Sequence, residues 1–264
     1  MPDPKTKEDE LAGTEQPFVE HLMELRDRLI KAVVAIGIVA AVLAVYPGPG
    51  ALYDLLAAPL VASLPAGATM IATSVISPFL VPLKILLMAA FMIALPVVLY
   101  QVWAFVAPGL YSHEKKLVMP LVISSTLLFL IGVAFCYYFV FGQVFKFIQS
   151  FAPKSITAAP DIEAYLGFAL SMFLAFGLAF EVPIAVVVLA RVGIVTVDKL
   201  KSFRGYFIVV AFVVAAIVTP PDVVSQLALA IPMCILYEVG IWAAQLFIKH
   251  TKAPEETEAE ASGN

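Results

Sequence analysis

Charged side chains are scarce in this chain of 264 residues. Asp, Glu, Lys and Arg make up only 14% of it, whereas 62% of the residues are hydrophobic. Soluble domains typically carry about 25% charged residues, so the composition excludes an ordinary soluble domain and predicts several membrane-spanning helices. The net charge of −4 says little about the membrane domain, because ten of the twenty acidic residues lie within residues 1–20 or 255–260.

Cysteine and histidine are also rare, and this removes most ligand sets for a metal. Cys136 and Cys234 lie inside apolar segments without the spacing of a metal site, so we expect both to be packing residues. His21, His113 and His250 are isolated near the ends of predicted spans. The motifs of serine hydrolases, zinc proteases and nucleotide-binding loops are missing. The sequence therefore predicts no enzyme activity, no metal and no cofactor.

Apolar segments predict an all-α integral membrane protein with six transmembrane helices. An α-helix needs about 20 residues to cross the hydrocarbon core. The predicted spans are 29–46, 78–106, 117–142, 165–190, 206–218 and 227–248 within a membrane domain of 17–248, flanked by a polar tail, 1–16, and an acidic tail, 249–264. The fifth span has 13 residues, about 20 Å of helix, so the last hairpin fits a bilayer poorly unless the bilayer thins locally or the hairpin lies in a groove.

Two polar features interrupt the apolar pattern near the first two spans. The segment after span one is broken by Asp54, Pro59 and Pro65, which predicts a cap of short helices outside the membrane. Lys84 lies near the outer end of span two, where its side chain is expected to extend to the interface. The N-terminal segment is acidic, so it has neither the basic start of a secretion signal nor the composition of a transit peptide.

Basic residues predict the orientation. With a cytoplasmic N-terminus, the outer loops carry only Lys146 and Lys154. The inner segments carry Lys5, Lys7, Arg26, Arg28, Lys31, Lys115, Lys116, Arg191, Lys199, Lys201, Arg204, Lys249 and Lys252. Because basic residues accumulate on the cytoplasmic side of membrane proteins, this bias predicts that both termini are cytoplasmic.

Carboxylates are the most informative polar groups. Glu24 and Glu114 lie at the predicted cytoplasmic surface, where carboxylates can accept hydrogen bonds from the guanidinium groups of a basic peptide. Glu181 lies about 13 Å below the cytoplasmic end of span four, where an ionised carboxylate costs about 2.5–3.5 kcal/mol. It is therefore either neutral and hydrogen-bonded to a neighbouring helix, paired, or facing a wet cavity. Glu238 is expected near the inner end of span six, where it can pair with Arg204.

Five segments carry a family resemblance that covers about residues 16–247. They are HLMELRDRL at 21–29, MIATSVISPF at 70–79, LYQVWAFVAPGLYSHEKK at 99–116, FEVPIA at 180–185 and TPPDVVSQLALAIPM at 219–233. Together they resemble the TatC family, the large multi-spanning subunit of the twin-arginine protein translocase. The resemblance implies six helices in a concave, glove-like bundle with short helices 5 and 6, outer cap helices and both termini in the cytoplasm of a bacterial cell, the protein lying in its inner membrane.

The resemblance implies a receptor function for the cytoplasmic face. Family members bind the consecutive arginines in signal peptides of folded cargo proteins, and the matching positions are Glu24, Glu114, Arg26 and Phe105. Pro59, in the outer cap, is another position on which the family relies.

The resemblance also implies roles inside the membrane and at the last hairpin. Glu181 matches the intramembrane glutamate of the concave face. Thr219, Asp222 and Gln226 match the region where single-span TatA/TatB-type subunits dock. Ser74 replaces an expected Asp, so no role is carried over to it. The family further implies self-association, contact with membrane lipid and transport driven by the proton motive force, without nucleic acid.

A proton-coupled small-solute transporter with Glu181 as its relay is the competing function. A transporter should place several polar groups along one pathway, whereas between the interfaces this chain offers little besides Glu181, Lys84 and Ser, Thr and Gln side chains. The sequence contains no internal repeat and no pair of matching broken helices, which also disfavours an inverted-repeat transporter. A purely scaffolding membrane protein is the third possibility.

Overall fold

The computed structural model describes residues 4–62, 70–106, 118–151, 160–219 and 222–251, and within these ranges nearly all of the chain is helical. The helices are α1 (Pro4–Val45), α2 (Pro49–Val61), α3 (Ser77–Val106), α4 (Val118–Phe135), α5 (Phe141–Phe151), α6 (Ile162–Phe180), α7 (Val182–Arg191), α8 (Val197–Ser202), α9 (Arg204–Val218) and α10 (Val223–Thr251), with a π-helical turn, Cys136–Val140, that joins α4 to α5.

Five stretches of the described chain are long and apolar enough to cross a membrane. They are His21–Val45, Ser77–Phe105, Val118–Phe147, Ile162–Arg191 and Val223–Leu246. The all-helical membrane fold predicted from the sequence is therefore confirmed. Helix α9 is apolar but has only 15 residues, about 22 Å of helix, so a sixth span stays a prediction. Helix α1 begins at Pro4 and thus extends through the segment predicted to be a polar tail.

The hydrophobic core lies where the α4–α5 stretch packs against α6. Phe129, Phe141 and Phe176 are the largest fully buried side chains there. Because lipid tails are as apolar as the helices, close packing rather than burial from water must hold such helices together. Gly132 permits this approach, since a Cβ atom at its position would lie 2.5 Å from the Phe176 carbonyl oxygen.

A break at Glu181 divides the fourth long stretch into α6 and α7. Pro183 has no N–H group to donate, and its ring clashes with the carbonyl group four residues earlier, so a regular helix cannot continue through it. The chain accordingly turns at Glu181, and α7 begins at Val182 with Pro183 in its first turn. The break places a carboxyl group at an irregular point of the backbone within an otherwise apolar stretch.

The segment 70–76 is attached to the start of α6. The Ile71 N–H donates to the Pro160 carbonyl at 3.0 Å, and the Ile162 N–H donates to the Ile71 carbonyl at 2.9 Å. One Asp161 oxygen caps α6 by accepting the N–H groups of Glu163 and Ala164, both at 2.9 Å. The other oxygen accepts the Thr73 hydroxyl at 2.7 Å and the Thr73 N–H at 3.0 Å. The two bonds from Thr73 and the two backbone bonds of Ile71 hold two distant segments together.

Lys84 belongs to the same end of the structure and is paired. Its Nζ atom lies 3.1 Å from Glu163 Oε1, and the Ser77 hydroxyl donates to Glu163 Oε2 at 2.6 Å. The sequence predicted only that Lys84 extends towards the interface. Its partner was not predicted, because Glu163 lies 79 residues further along the chain.

The cap formed by Asp161 should make stability depend on pH. The Thr73 hydroxyl, and after it the N–H groups of Ala164, Thr73 and Glu163, lower the pKa of Asp161 to about 2. Since the carboxylate is the stabilising form, its contribution is complete above the ordinary pKa of about 4 and is lost as the pH falls through about 2. We therefore expect Asp161→Asn to lower the midpoint of thermal unfolding in detergent at pH 7.

The difference between wild type and Asp161→Asn should shrink between pH 4 and pH 2. Asp198→Asn is the matched control, because the Asp198 carboxylate is 95% exposed and lies 4.0 Å from its lysine partner. An equal midpoint for Asp161→Asn and wild type at pH 7, or a difference that persists at pH 2, would contradict the assignment.

Candidate functional site

An aromatic contact joins the beginning of the first apolar stretch to the end of α3. The His21 imidazole stacks on the Phe105 ring, with 4.3 Å between ring centroids and 19° between planes. Phe105 is the last residue but one of α3. His21 and Glu24 are three residues apart on α1 and hence neighbours on the helix surface. The stack therefore brings Phe105 close to the helical turn that carries Glu24.

Glu24 presents one engaged and one open oxygen. Nε and Nη2 of Arg28 both donate to Glu24 Oε1, at 2.9 and 2.6 Å. Among the described residues no group donates to Oε2. The side chains of Glu24 and Arg28 are 35% and 23% exposed, so the carboxylate is partly withdrawn from water. A half-buried carboxylate with one free oxygen is suited to accept a further charged donor.

Arg26 does not join this group. Its Nε and Nη2 atoms donate to Asp27 Oδ1 at 2.9 and 2.8 Å. The side chains of Arg26 and Asp27 are 66% and 54% exposed. Two further predicted site residues cannot be compared with this geometry. Glu114 lies outside the described residues, and Pro59 belongs to α2 but its side chain is likewise outside what the structure describes.

Glu181 lies at the break between α6 and α7, and although the residue is only partly buried, both of its carboxyl oxygens are buried. Within the described part of the chain, neither of its carboxyl oxygens has a hydrogen-bond partner. The Ser125 hydroxyl faces it from α4 and itself accepts the Trp103 indole N–H at 2.9 Å. Trp103, Ser125 and Glu181 thus form a short polar row across three helical stretches. Ser125 and Trp103 were not predicted, since nothing in their spacing relates them to Glu181.

The three residues predicted at the last hairpin are together at the turn between α9 and α10. The Thr219 hydroxyl donates to the Ala215 carbonyl at 2.8 Å, and Gln226 Nε2 donates to the Phe212 carbonyl at 3.2 Å. Asp222 Oδ1 accepts the Ser225 N–H at 2.7 Å, which caps α10. Asp222 Oδ2 and the Ser225 hydroxyl are buried without a partner among the described residues. Ser225 was missed, although its position three residues after Asp222 is a sequence signal for such a cap.

The predicted pairing of Arg204 with Glu238 is confirmed. Arg204 Nε lies 2.7 Å from Glu238 Oε1, and Nη2 donates to Oε2 at 2.7 Å. This bidentate pair joins the start of α9 to α10, and the rings of Phe207 and Tyr237 stack beside it with centroids 4.0 Å apart. The residues that the structure describes contain no cluster of His, Cys, Asp and Glu that could hold a metal ion.

Long apolar helices, polar contacts concentrated at helix ends and one carboxyl group buried at a helix break define a multi-pass membrane protein. The family model of the Sec-independent protein translocase protein (TatC) matches residues 20–232. The chain belongs to the TatC family.

Related proteins and structures agree with this assignment. The chain is 51% identical to the TatC protein of Halothiobacillus neapolitanus over 93% of its own length and 67% of that protein. It is 46% identical to the TatC protein of Escherichia coli strain K12 over 91% of its length and 93% of that protein. A crystal structure of the twin-arginine translocase receptor TatC superposes with a TM-score of 0.74 at 42% identity, covering 86% of this chain and 98% of the other.

Family membership establishes the general role. The protein is a component of the twin-arginine protein translocase, a multi-pass protein of the bacterial inner membrane that acts in protein transport and not as an enzyme. A translocase subunit works within a complex, so other Tat components are implied as partners.

Proposed function

We propose that this protein is the core subunit that receives signal peptides, and that the surface formed by His21, Glu24 and Phe105 binds an arginine of the twin-arginine pair. The observation that carries the proposal is that no described residue donates to Glu24 Oε2, and that Glu24 lies one helical turn from the His21 ring that stacks on Phe105. A guanidinium group is planar, so it can donate to a carboxylate while its face lies against an aromatic ring.

Glu114 is proposed to supply the second carboxylate. It follows Phe105 by nine residues in the sequence, and Phe105 itself is held against α1 by the ring stack. Two consecutive arginines offer two guanidinium groups, and each requires its own acceptor. One carboxylate on α1 and one after α3 would satisfy both groups.

Neutralising these carboxylates tests the proposal. We expect Glu24→Gln and Glu114→Gln each to weaken binding of an Arg-Arg signal peptide by about tenfold, because a hydrogen bond between charged groups contributes about 1.5–3 kcal/mol. Glutamine keeps the size of the side chain, so membrane insertion should be unchanged. Fluorescence anisotropy of a labelled peptide with the purified protein in detergent measures the affinity.

Asp54→Asn serves as the matched control for these variants, since Asp54 is exposed on α2 and the helix from Glu24 to the end of α1 alone separates them by about 30 Å. Affinity equal to that of wild type in both glutamine variants, or undiminished export of folded cargo by the double variant, would refute the proposed site.

The ring stack gives a second test of the same surface. We expect His21→Ala to weaken binding of the Arg-Arg peptide by about two- to tenfold, since aromatic pairs contribute about 0.5–1.5 kcal/mol. His21→Phe keeps a ring opposite Phe105 and should bind almost as wild type does. The same titration measures both variants, and equal losses in His21→Ala and His21→Phe would show that the stack does not position Phe105 for the ligand.

We also propose that α9 and the turn before α10 form the docking groove for a single-span TatA/TatB-type partner. Helix α9 is short and exposes Val213 and Ile217, at 53% and 78%, whereas Ala215 is fully buried. Gln226 in α10 donates to the Phe212 carbonyl in α9 and so joins the two helices of the hairpin. A short apolar helix favours a locally thin bilayer, where a second short or tilted span fits better.

Disulfide crosslinking tests this groove. In a background without Cys136 and Cys234, single cysteines along 212–219 should crosslink to a cysteine in the partner's span, with the strongest products at Val213 and Ile217. Ala215→Cys is the control, because its side chain faces away from the partner. A complete absence of crosslinks, or equal yields at exposed and buried positions, would count against the groove. The products are read on a non-reducing gel.

Membership of the family supports the remaining features of the proposed assembly. They are six spans with both termini in the cytoplasm, a concave glove-like bundle, self-association and transport driven by the proton motive force. A proton-coupled solute transporter is the second candidate, and the observation that favours it is the Glu181 carboxyl, whose buried oxygens have no hydrogen-bond partner among the described residues. Within the described chain, however, the polar row beside Glu181 is completed only by Ser125 and Trp103, which is short for a transport pathway.

A further inference from the structure

An apolar cavity of about 300 Å³ lies between α2, α3, α4 with its π-helical turn, and α6. The Tyr137 phenol donates to the Leu55 carbonyl at 2.7 Å and thereby joins this turn to α2. Apart from the phenol groups of Tyr137 and Tyr138, all lining side chains are apolar. The lining residues include Leu55, Met88, Met92, Leu130, Ala134 and Tyr138.

The π-helical turn, Cys136–Val140, contributes directly to the wall. Tyr137 and Tyr138 belong to this turn, and both line the cavity. Such single turns inside long helices occur frequently at functional sites. Because this π-helical turn lies beside the cavity in a helix that is otherwise regular α, it indicates that the cavity is a binding site.

The cavity can be located along the membrane normal by counting residues from the ends of α3 and α4. Tyr138 follows the start of α4 by 20 residues, about 30 Å, so it lies at the level of an interface, and 75% of its side chain is exposed. Met92 follows the start of α3 by 15 residues, about 22 Å, so it lies well inside the hydrocarbon region. The cavity therefore extends from one interface towards the membrane centre.

Size and polarity select the occupant. Apolar cavities do not hold water, which needs polar partners. One turn of α-helix, about 10 Å across and 5.4 Å high, occupies about 400 Å³, so neither a partner's span nor a helical peptide fits. Next to the cavity, Leu87, Leu127 and Ile131 are exposed at 48%, 54% and 54%, and in a bilayer this surface contacts lipid. A single extended hydrocarbon chain from the surrounding lipid is both narrow enough and apolar enough to fit the cavity.

We propose that this cavity binds one acyl chain of a membrane phospholipid. Helix α2 covers the chain from the interface side, and Tyr138 at the rim offers its phenol to the ester groups of the same lipid. The bound chain fills the space that α2, α3 and the π-helical turn leave open, so it acts as a packing element of the bundle. This site is separate from the surface proposed for signal peptides.

Photolabelling tests the proposal. The protein is reconstituted in vesicles of phosphatidylethanolamine and phosphatidylglycerol that contain a trace of a phosphatidylcholine with a diazirine near the end of one chain. After irradiation, mass spectrometry should find the label enriched at Met88 and Met92 relative to exposed residues of α1 such as Val33. Ala134→Phe should reduce labelling at Met88 and Met92, because each methylene that the added ring excludes weakens binding about fourfold.

Ala41→Phe is the matched control, since Ala41 is also an exposed alanine in an apolar stretch and does not line the cavity; its labelling pattern should equal that of wild type. Ala89→Leu fills the cavity from α3 and replaces Ala134→Phe if that variant does not fold. Labelling at Met88 and Met92 no stronger than at Val33, or unchanged in the filled variants, would overturn the proposal. So would a crosslink from these positions to a second protein chain.

Discussion

The lack of water in the hydrocarbon core is the constraint on which this structure depends. Backbone groups in that region must pair within the chain, and the described residues accordingly form long helices with polar contacts gathered at their ends. Glu181 departs from this pattern within a long apolar stretch, because both of its oxygens are buried without a partner among the described residues, as are Asp222 Oδ2 and the Ser225 hydroxyl at the start of α10. The proline two residues later interrupts the helix at this point, so a carboxyl group that is costly to bury lies at a break in the helix.

The two ends of the bundle differ in whether their carboxylates have hydrogen-bonding capacity left for a ligand. At the end that holds Thr73, Asp161, Glu163 and Lys84, the carboxylates of the described residues make internal contacts, which join distant segments to each other. At the other end, no described residue donates to Glu24 Oε2, and Glu24 lies one helical turn from the His21 ring that stacks on Phe105. A closed network stabilises the fold, whereas an open acceptor can bind a ligand. This difference is the physical basis for assigning the peptide to the Glu24 surface.

Much of the architecture could be predicted from the sequence, because the length of an apolar segment is a local signal. The pairing of Arg204 with Glu238 was also predictable, since both lie at ends of neighbouring spans in a hairpin. The His21–Phe105 stack and the Thr73–Asp161 contact were not, because their partners are 84 and 88 residues apart in the chain. The sequence assigned Phe105 to the site only through the family resemblance, and His21 was treated as an isolated histidine.

Selectivity for guanidinium over ammonium groups tests the central claim most directly. A site that combines a carboxylate oxygen with an aromatic face favours a planar ligand. The purified wild-type protein in detergent should bind a signal peptide with consecutive arginines at least about tenfold more tightly than the same peptide with two lysines. Equal affinities for the two peptides, or no binding of the arginine peptide, would contradict it.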